Sequence, residues 1–242
     1  MKLVNILIYV GFVLSCLSSV NSFSMRNYPF HPKIHVLGNI GLGGKVHAKM
    51  ARYITKLIDY NAYNKRNIRN EIYQELIKDY DEHPYILDLC CGVGVSTPNH
   101  ENCVGVDTSV EMINEAKELN KKYKHNYIVG NAENTYETYD FKQHFIDNYN
   151  NTNFSGFDIV TIFFAFHEIP QEARQDIILY HSRFAKDKLV IVDIDPSYKP
   201  SPSMLYGEPY LFDYKANIKK DLLFAKEDII IKNHVIMWTF EL

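Results

Sequence analysis

Asp88 and Asp107 are the two acids whose setting asks for chemistry. Each closes a short apolar run, Ile86-Leu-Asp88 and Cys103-Val-Gly-Val-Asp107, and nineteen residues lie from one to the other. Asp88 runs on into Leu-Cys90-Cys91-Gly92-Val-Gly94-Val-Ser-Thr97, a loop of small residues. Glycine has no Cβ and tolerates positive φ, so such a loop sets bare backbone beside a ligand. A fixed negative charge just before the turn suits a ligand with a cationic, amine-bearing tail and would repel a phosphate. A carboxylate at the tip of a second strand accepts two hydrogen bonds from a ribose diol. Two further runs end the same way. Residues 126–130 lead into Asn131-Ala132-Glu133, and residues 157–163 lead into Phe164-Ala-Phe-His167-Glu-Ile-Pro170. His167, at the mouth of the fourth run, is a candidate general base or substrate orienter. The alternative is a residue that holds the 164–170 loop, with Glu168 on an arginine such as Arg174. Asp193 and Asp195 are rivals for the catalytic role.

Four strand ends in chain order, each carrying polar groups, require a sheet that lines them up along one edge. In an open α/β sheet that carboxyl edge is where ligands bind. The rest of the chain supplies the covering elements. Residues 37–44 are a glycine-rich lead-in that reads as a hinge, a lid or a plain connector. It lacks the Lys-Ser/Thr of a phosphate loop. A helix follows from Lys45, with Val46, Met50, Ile54, Leu57 and Ile58 at helical spacing. A second helix over 67–79 puts Ile68, Ile72, Leu76 and Ile77 on one face. Pro98 and Asn99 leave room for about one helical turn between the first two strands. Helices are expected near 139–149, over 171–184 behind Pro170, and around 209–224. Strands are expected at 188–193, 228–232 and 235–241. Residues 197–210 read as a long loop in which Tyr206, Glu208 and Tyr210 are candidate substrate contacts, since loops past strand ends carry selectivity.

Together these segments resemble a class I S-adenosylmethionine-dependent methyltransferase of the small-molecule group that includes the quinone-biosynthesis enzymes. The family's Asp-Leu-Gly-Cys-Gly-x-Gly stands here as Asp88-Leu-Cys90-Cys91-Gly92-Val-Gly94, its ribose acid as Asp107, and its Gly-Asp-Ala-Glu as Gly130-Asn131-Ala132-Glu133. The resemblance implies an α/β, Rossmann-like sandwich, mostly parallel with an antiparallel last strand, behind a helical N-terminal cap. It implies S-adenosyl-L-methionine as cofactor, a small-molecule acceptor, and cofactor contacts from Asp88, Cys90, Gly92, Gly94, Asp107, Thr108, Asn131, Ala132, Glu133 and Phe163. Three departures stand out. Cys90 replaces a glycine, which implies a negative φ there; Asn131 replaces an acid but keeps an acceptor oxygen for an adenine amine; and the first crossover is short. A nicotinamide dehydrogenase is the rival. Its Gly-x-Gly-x-x-Gly opens a helix under a pyrophosphate, whereas here no helix follows Gly94 and Asp88 would sit badly beside phosphate. A methyltransferase fold that binds without catalysis is the other alternative.

Composition narrows the rest. With 242 residues, 46% of them hydrophobic, the chain is long enough to bury a full α/β core. A net charge of −3 argues against non-specific nucleic-acid binding. Residues 1–22 read as a signal peptide: Lys2, an apolar run over 3–17, then Val20-Asn-Ser22 at the cleavage positions. That run is short for a membrane span, so no stable span is expected after cleavage, and a retained anchor is the alternative. Phe23 would then begin a chain bound for the secretory pathway, or for a plastid through a bipartite leader. Residues 23–80 make a cap with lid helices and 81–242 the cofactor-binding domain. Of four cysteines, Cys16 leaves with the leader; Cys90, Cys91 and Cys103 do not form a disulfide framework. His35, His47 and His234 lack metal-ligand spacing, and no metal site is expected.

Overall fold

The computed structural model describes residues 38–242. The leader expected over 1–22, its cleavage point and His35 lie outside the described residues. Seven strands form one sheet: β1 (Ile86–Leu89), β2 (Cys103–Asp107), β3 (Tyr127–Val129), β4 (Ile159–Phe163), β5 (Lys188–Ile194), β6 (Lys226–Ile231) and β7 (Val235–Glu241), in the order β3-β2-β1-β4-β5-β7-β6. Strands β1 to β5 run parallel, and β7 is antiparallel to both β5 and β6. The order reverses at β1, where the chain goes first to β2 and β3 and later returns to β4. A crevice opens at such a switch point, at the strands' carboxyl ends.

Side-chain alternation splits the strands between two cores. Leu87, Leu89, Val104, Val106, Val160, Ile162, Leu189 and Ile191 pack on one face. There they meet α5 (Phe141–Tyr149), α6 (Gln171–His181) and α8 (Leu211–Asp221), through Phe141, Phe145, Ile177, Tyr214 and Ile218. Ile86, Cys103, Ile159, Val190 and Val192 pack on the other face, against Ile68, Ile72 and Leu76 of α2 (Ile68–Ile77). Asn67 caps α2 by accepting from the Asn70 N–H. The helix α2 thus shares the core of the sheet.

Several expectations are corrected. The first helix, α1 (Gly41–Ala62), begins inside the glycine segment instead of at Lys45. Gly44 is needed there, since a Cβ would fall 2.5 Å from the Asn39 carbonyl carbon. Between β1 and β2 the backbone forms turns only, with no helical turn. The 197–210 segment is not all loop: α7 (Pro202–Gly207) lies within it, capped by Ser201, whose side chain accepts from the Met204 N–H. The remaining short elements are α3 (Val110–Leu119), α4 (Thr135–Thr138) and two 3₁₀ turns, Lys121–Asn126 and Phe166–Glu168.

Candidate active site

The loop after β1 is locked from below. Asp88 is fully buried; Thr97 Oγ1 donates to it at 2.6 Å and Thr161 Oγ1 at 3.0 Å. Burial pushes the Asp88 carboxyl up to about 6, against the pull of those two hydrogen bonds. Asp88 therefore braces the loop and is not among the residues that line the cavity described below. Cys90 has φ +54, in the left-handed region. The expectation of a negative φ is overturned, because the turn must bring the Cys91 N–H to the Val106 carbonyl at 3.0 Å. A non-glycine residue there costs on the order of 1–2 kcal/mol. Gly94, at φ +74, lies under Tyr127, whose ring would be 2.6 Å from a Cβ. Its missing side chain serves packing, and it is not among the residues that line the cavity.

Gly92 is different. Its φ is +53 and a Cβ on it would meet nothing within 4 Å. Its N–H donates to Asp107 Oδ2 at 2.9 Å, while the Ser109 N–H donates to Asp107 Oδ1 at 2.8 Å. Burial raises the Asp107 carboxyl to about 6, and those two backbone donors oppose the rise. Each oxygen keeps a lone pair for a further donor. Asn131 sits beyond β3, its Oδ1 accepting from the Glu133 N–H at 3.0 Å and its Nδ2 donating to Glu133 at 3.3 Å.

These residues line a cavity of about 540 Å³, within the range of cofactor and small-molecule sites. Cys90, Gly92, Asp107, Thr108, Asn131, Ala132, Glu133 and Phe163 all reach it, as does Tyr210. Sequence reading missed Arg69, His47, Phe164 and Glu168, which also line it. Arg69 pairs with Asp59 at 2.8 Å and lies over the Phe164 ring at 4.7 Å. Among the described residues, the carboxylates of Asp107, Glu133 and Glu168 line the cavity together with Arg69, which pairs with Asp59. A cation is at home in such a cavity and a pyrophosphate is not.

The remaining expected site residues lie elsewhere. His167 is buried and does not line the cavity. Its Nδ1 is 2.6 Å from Asp193 Oδ1, and its Nε2 is 3.7 Å from Glu168 and 3.6 Å from Glu208. Burial alone would lower its pKa; Asp193, Glu168 and Glu208 together outweigh that and raise it to about 9. Glu208 stands behind the cavity wall beside His167, and Tyr206 is 69% exposed and off the cavity. Arg174 does not pair with Glu168. It donates to the Ile169 carbonyl at 2.7 Å and bridges Asp213 and Asp221. Among the described residues no group of three or more His, Cys, Asp or Glu stands together as a metal site.

Residues 87–187 match the protein family described as Methyltransferase domain. Residues 87–187 therefore read as a methyltransferase domain. Among solved structures, the plantazolicin methyltransferase BamL, in complex with a triazolic desmethylPZN analog and SAH, is 16% identical. It covers 81% of this chain and 94% of that one, with a TM-score of 0.52. A putative O-methyltransferase from Nostoc punctiforme is 13% identical over 82% of this chain and 60% of that one, with a TM-score of 0.50. At those identities the likeness is one of fold. No curated protein matches the chain. The residues present fit S-adenosylmethionine: Asp107 offers acceptors for a ribose diol, Gly92 leaves open the space a Cβ would fill, and the acidic lining suits a sulfonium.

Proposed function

We propose that the enzyme methylates a small-molecule acceptor held at the Glu168–Tyr210 end of the cavity, with Glu168 as the group that receives the acceptor's proton. The observation that carries this reading is the acidic lining, in which Glu168 is the carboxylate next to the apolar wall of Phe164, Ile169, Pro170 and Tyr210. Bound S-adenosylmethionine supplies an electrophilic methyl carbon on a good leaving group, so the protein's work is alignment and proton removal. Glu168 takes the proton as the acceptor atom's lone pair is committed to the new bond. His167 is a positioning residue in this scheme. A cation up to about pH 9 cannot serve as a base at neutral pH, but it can fix Glu168 and Glu208 from behind while Asp193 fixes it.

The test is transfer of labelled methyl from S-adenosylmethionine into extracted metabolites. Glu168→Gln should lower the single-turnover rate roughly 10²–10⁴-fold while S-adenosylhomocysteine affinity by calorimetry stays within about threefold. A Glu168→Gln rate near that of the wild type would remove Glu168 from the chemistry. NAD binding in place of S-adenosylhomocysteine would remove the methyltransferase reading itself. For residues 1–22 we keep the cleaved-leader reading, supported by the run of apolar residues before Val20-Asn-Ser22. Sequencing the N-terminus of protein from its own host should return Phe23, and a retained Met1 would refute it.

A further inference from the structure

The helix α1 is inside out for a helix of a globular domain. Its inner side is made of small residues: Gly44 and Ala48 are buried, and Ala51 and Thr55 line the cavity. Its large apolar residues face away from the protein. Leu42 is 83% exposed, Tyr53 72% and Leu57 62%, and Val46, Met50 and Tyr60 are each about half exposed. At 100° per residue these six fall within a sector of roughly 80°. Beside them, Lys45, Lys49, Arg52 and Lys56 fall within a second sector of roughly 60°. The helix holds four cations against a single carboxylate, Asp59, near its end, although the chain as a whole carries a net charge of −3. Lys49 pairs with Glu115 at 2.8 Å. Lys45, Arg52 and Lys56 are exposed, with no ion pair among the described residues.

An exposed apolar strip flanked by a cationic strip is the pattern of a helix that lies in a bilayer's interface, with basic side chains reaching anionic headgroups. Charge excludes the converse arrangement, since four cations along 22 residues prevent α1 from spanning a membrane. Among the described residues no helix is long and apolar enough to cross one. The helix is also firmly mounted. The Gly41 N–H donates to Glu111 at 2.9 Å and Ser109 Oγ donates to the Asn39 carbonyl at 2.7 Å, which ties its start to α3.

We propose that α1 seats this protein on an anionic lipid bilayer, apolar strip down, and that the acceptor is a lipophilic molecule taken from that bilayer. The second clause rests on the methyl-transfer reading above; the first does not. The link is that α1 contributes His47, Ala51 and Thr55 to the cavity wall. A helix embedded on its outer side therefore brings the cavity to the membrane surface.

The test uses the full chain carrying Tyr53→Trp. The one native tryptophan, Trp238, is fully buried and gives a constant background. Because quenching by brominated acyl chains reads only the introduced indole, attachment through the apolar run at 3–17 cannot imitate the result. On phosphatidylglycerol–phosphatidylcholine vesicles the introduced indole should shift to the blue and be quenched. The triple reversal Lys45→Glu, Arg52→Glu, Lys56→Glu should weaken this at least about 100-fold, at about fivefold per cation. Calorimetric affinity for S-adenosylhomocysteine should stay within about threefold in the triple variant, so a failure of the cofactor reading is seen separately. Three outcomes overturn the proposal. One is an indole that vesicles leave unquenched, another is equal quenching on neutral phosphatidylcholine, and the third is an indole already shielded without lipid, as when residues before 38 or a second copy cover the strip.

Discussion

Replacing His167 by alanine separates support from chemistry. The imidazolium is buried against a fully buried Asp193 at 2.6 Å, and among the described residues Asp193 otherwise accepts from the backbone N–H groups of His167 and Ile194. Removing one partner of a buried ion pair leaves an uncompensated charge and costs about 3–5 kcal/mol. The pKa gives an independent magnitude. A rise from 6.5 to about 9 corresponds to roughly 3 kcal/mol of preference for the charged form at 1.36 kcal/mol per pH unit. The sign follows from the direction of the shift. Folded protein holds the proton more tightly than unfolded, so this stabilisation is complete below about pH 6.5 and is lost as pH climbs through about 9. Thermal unfolding of wild type and His167→Ala should thus differ by roughly 10–15 °C near pH 6, at about 2–4 °C per kcal/mol for a domain of this size. The gap should narrow steadily toward pH 9.5. A difference below about 3 °C, flat across that range, would refute the buried ion pair as described. A preserved melting temperature with a rate collapsed 10³-fold would return His167 to the chemistry.

Other perturbations probe the crevice and the core. Asp107→Ala should weaken S-adenosylhomocysteine binding tenfold or more, because hydrogen bonds to a charged acceptor contribute about 1.5–3 kcal/mol each. In the wild type, affinity should rise from pH 5 to 7 as Asp107 loses its proton near pH 6, and calorimetry that finds no change would count against the diol assignment. Gly92→Ala and Gly94→Ala should part company. The first puts a methyl into the crevice and should reduce cofactor affinity; the second meets Tyr127 at 2.6 Å and should reduce stability by about 1–3 kcal/mol, which parallel melting and binding curves would check. A chain begun at residue 81 should give no cooperative unfolding transition. It lacks Ile68, Ile72 and Leu76, whose burial contributes about 1.5–3 kcal/mol each, a sum comparable to a whole domain's stability.

What was legible in the sequence was local. Short apolar runs ending in polar residues marked β1 to β4, and Asp107 was found because its partners, Gly92 and Ser109, are close along the chain and bond through backbone N–H groups. The bracing of Asp88 is not legible locally, because one of its donors, Thr161, is 73 residues away. Nothing in the pattern around Asp88 says that each of its oxygens accepts from a buried threonine hydroxyl. Arg69 was missed because it sits in a helix read only for its apolar face, and its role appears once Asp59 and Phe164 are brought against it. The start of α1 was placed late because glycines are poor helix formers and Ile40 supplies no side-chain cap. By contrast α7 had a readable signal, Ser201 followed by Pro202 at the first helical position. Tyrosines and prolines nearby drew the segment toward a loop.

The short first crossover explains much of what is unusual in this molecule. Parallel neighbours must be joined by a connection of a dozen or so residues, usually a helix that covers one face of the sheet. Here residues 90–102 make the connection in turns alone, so the face carrying Ile86, Cys103 and Ile159 gets no cover from it. That cover comes instead from α2, which binds the N-terminal segment permanently into the core. The same economy falls on the loop itself. Without a helix start to hold it, the turn depends on a left-handed Cys90, the Cys91-to-Val106 hydrogen bond and the Thr97 hydroxyl on Asp88. While α2 packs on the sheet, α1 walls the cavity with His47 and Thr55. Its large apolar residues are left pointing outward.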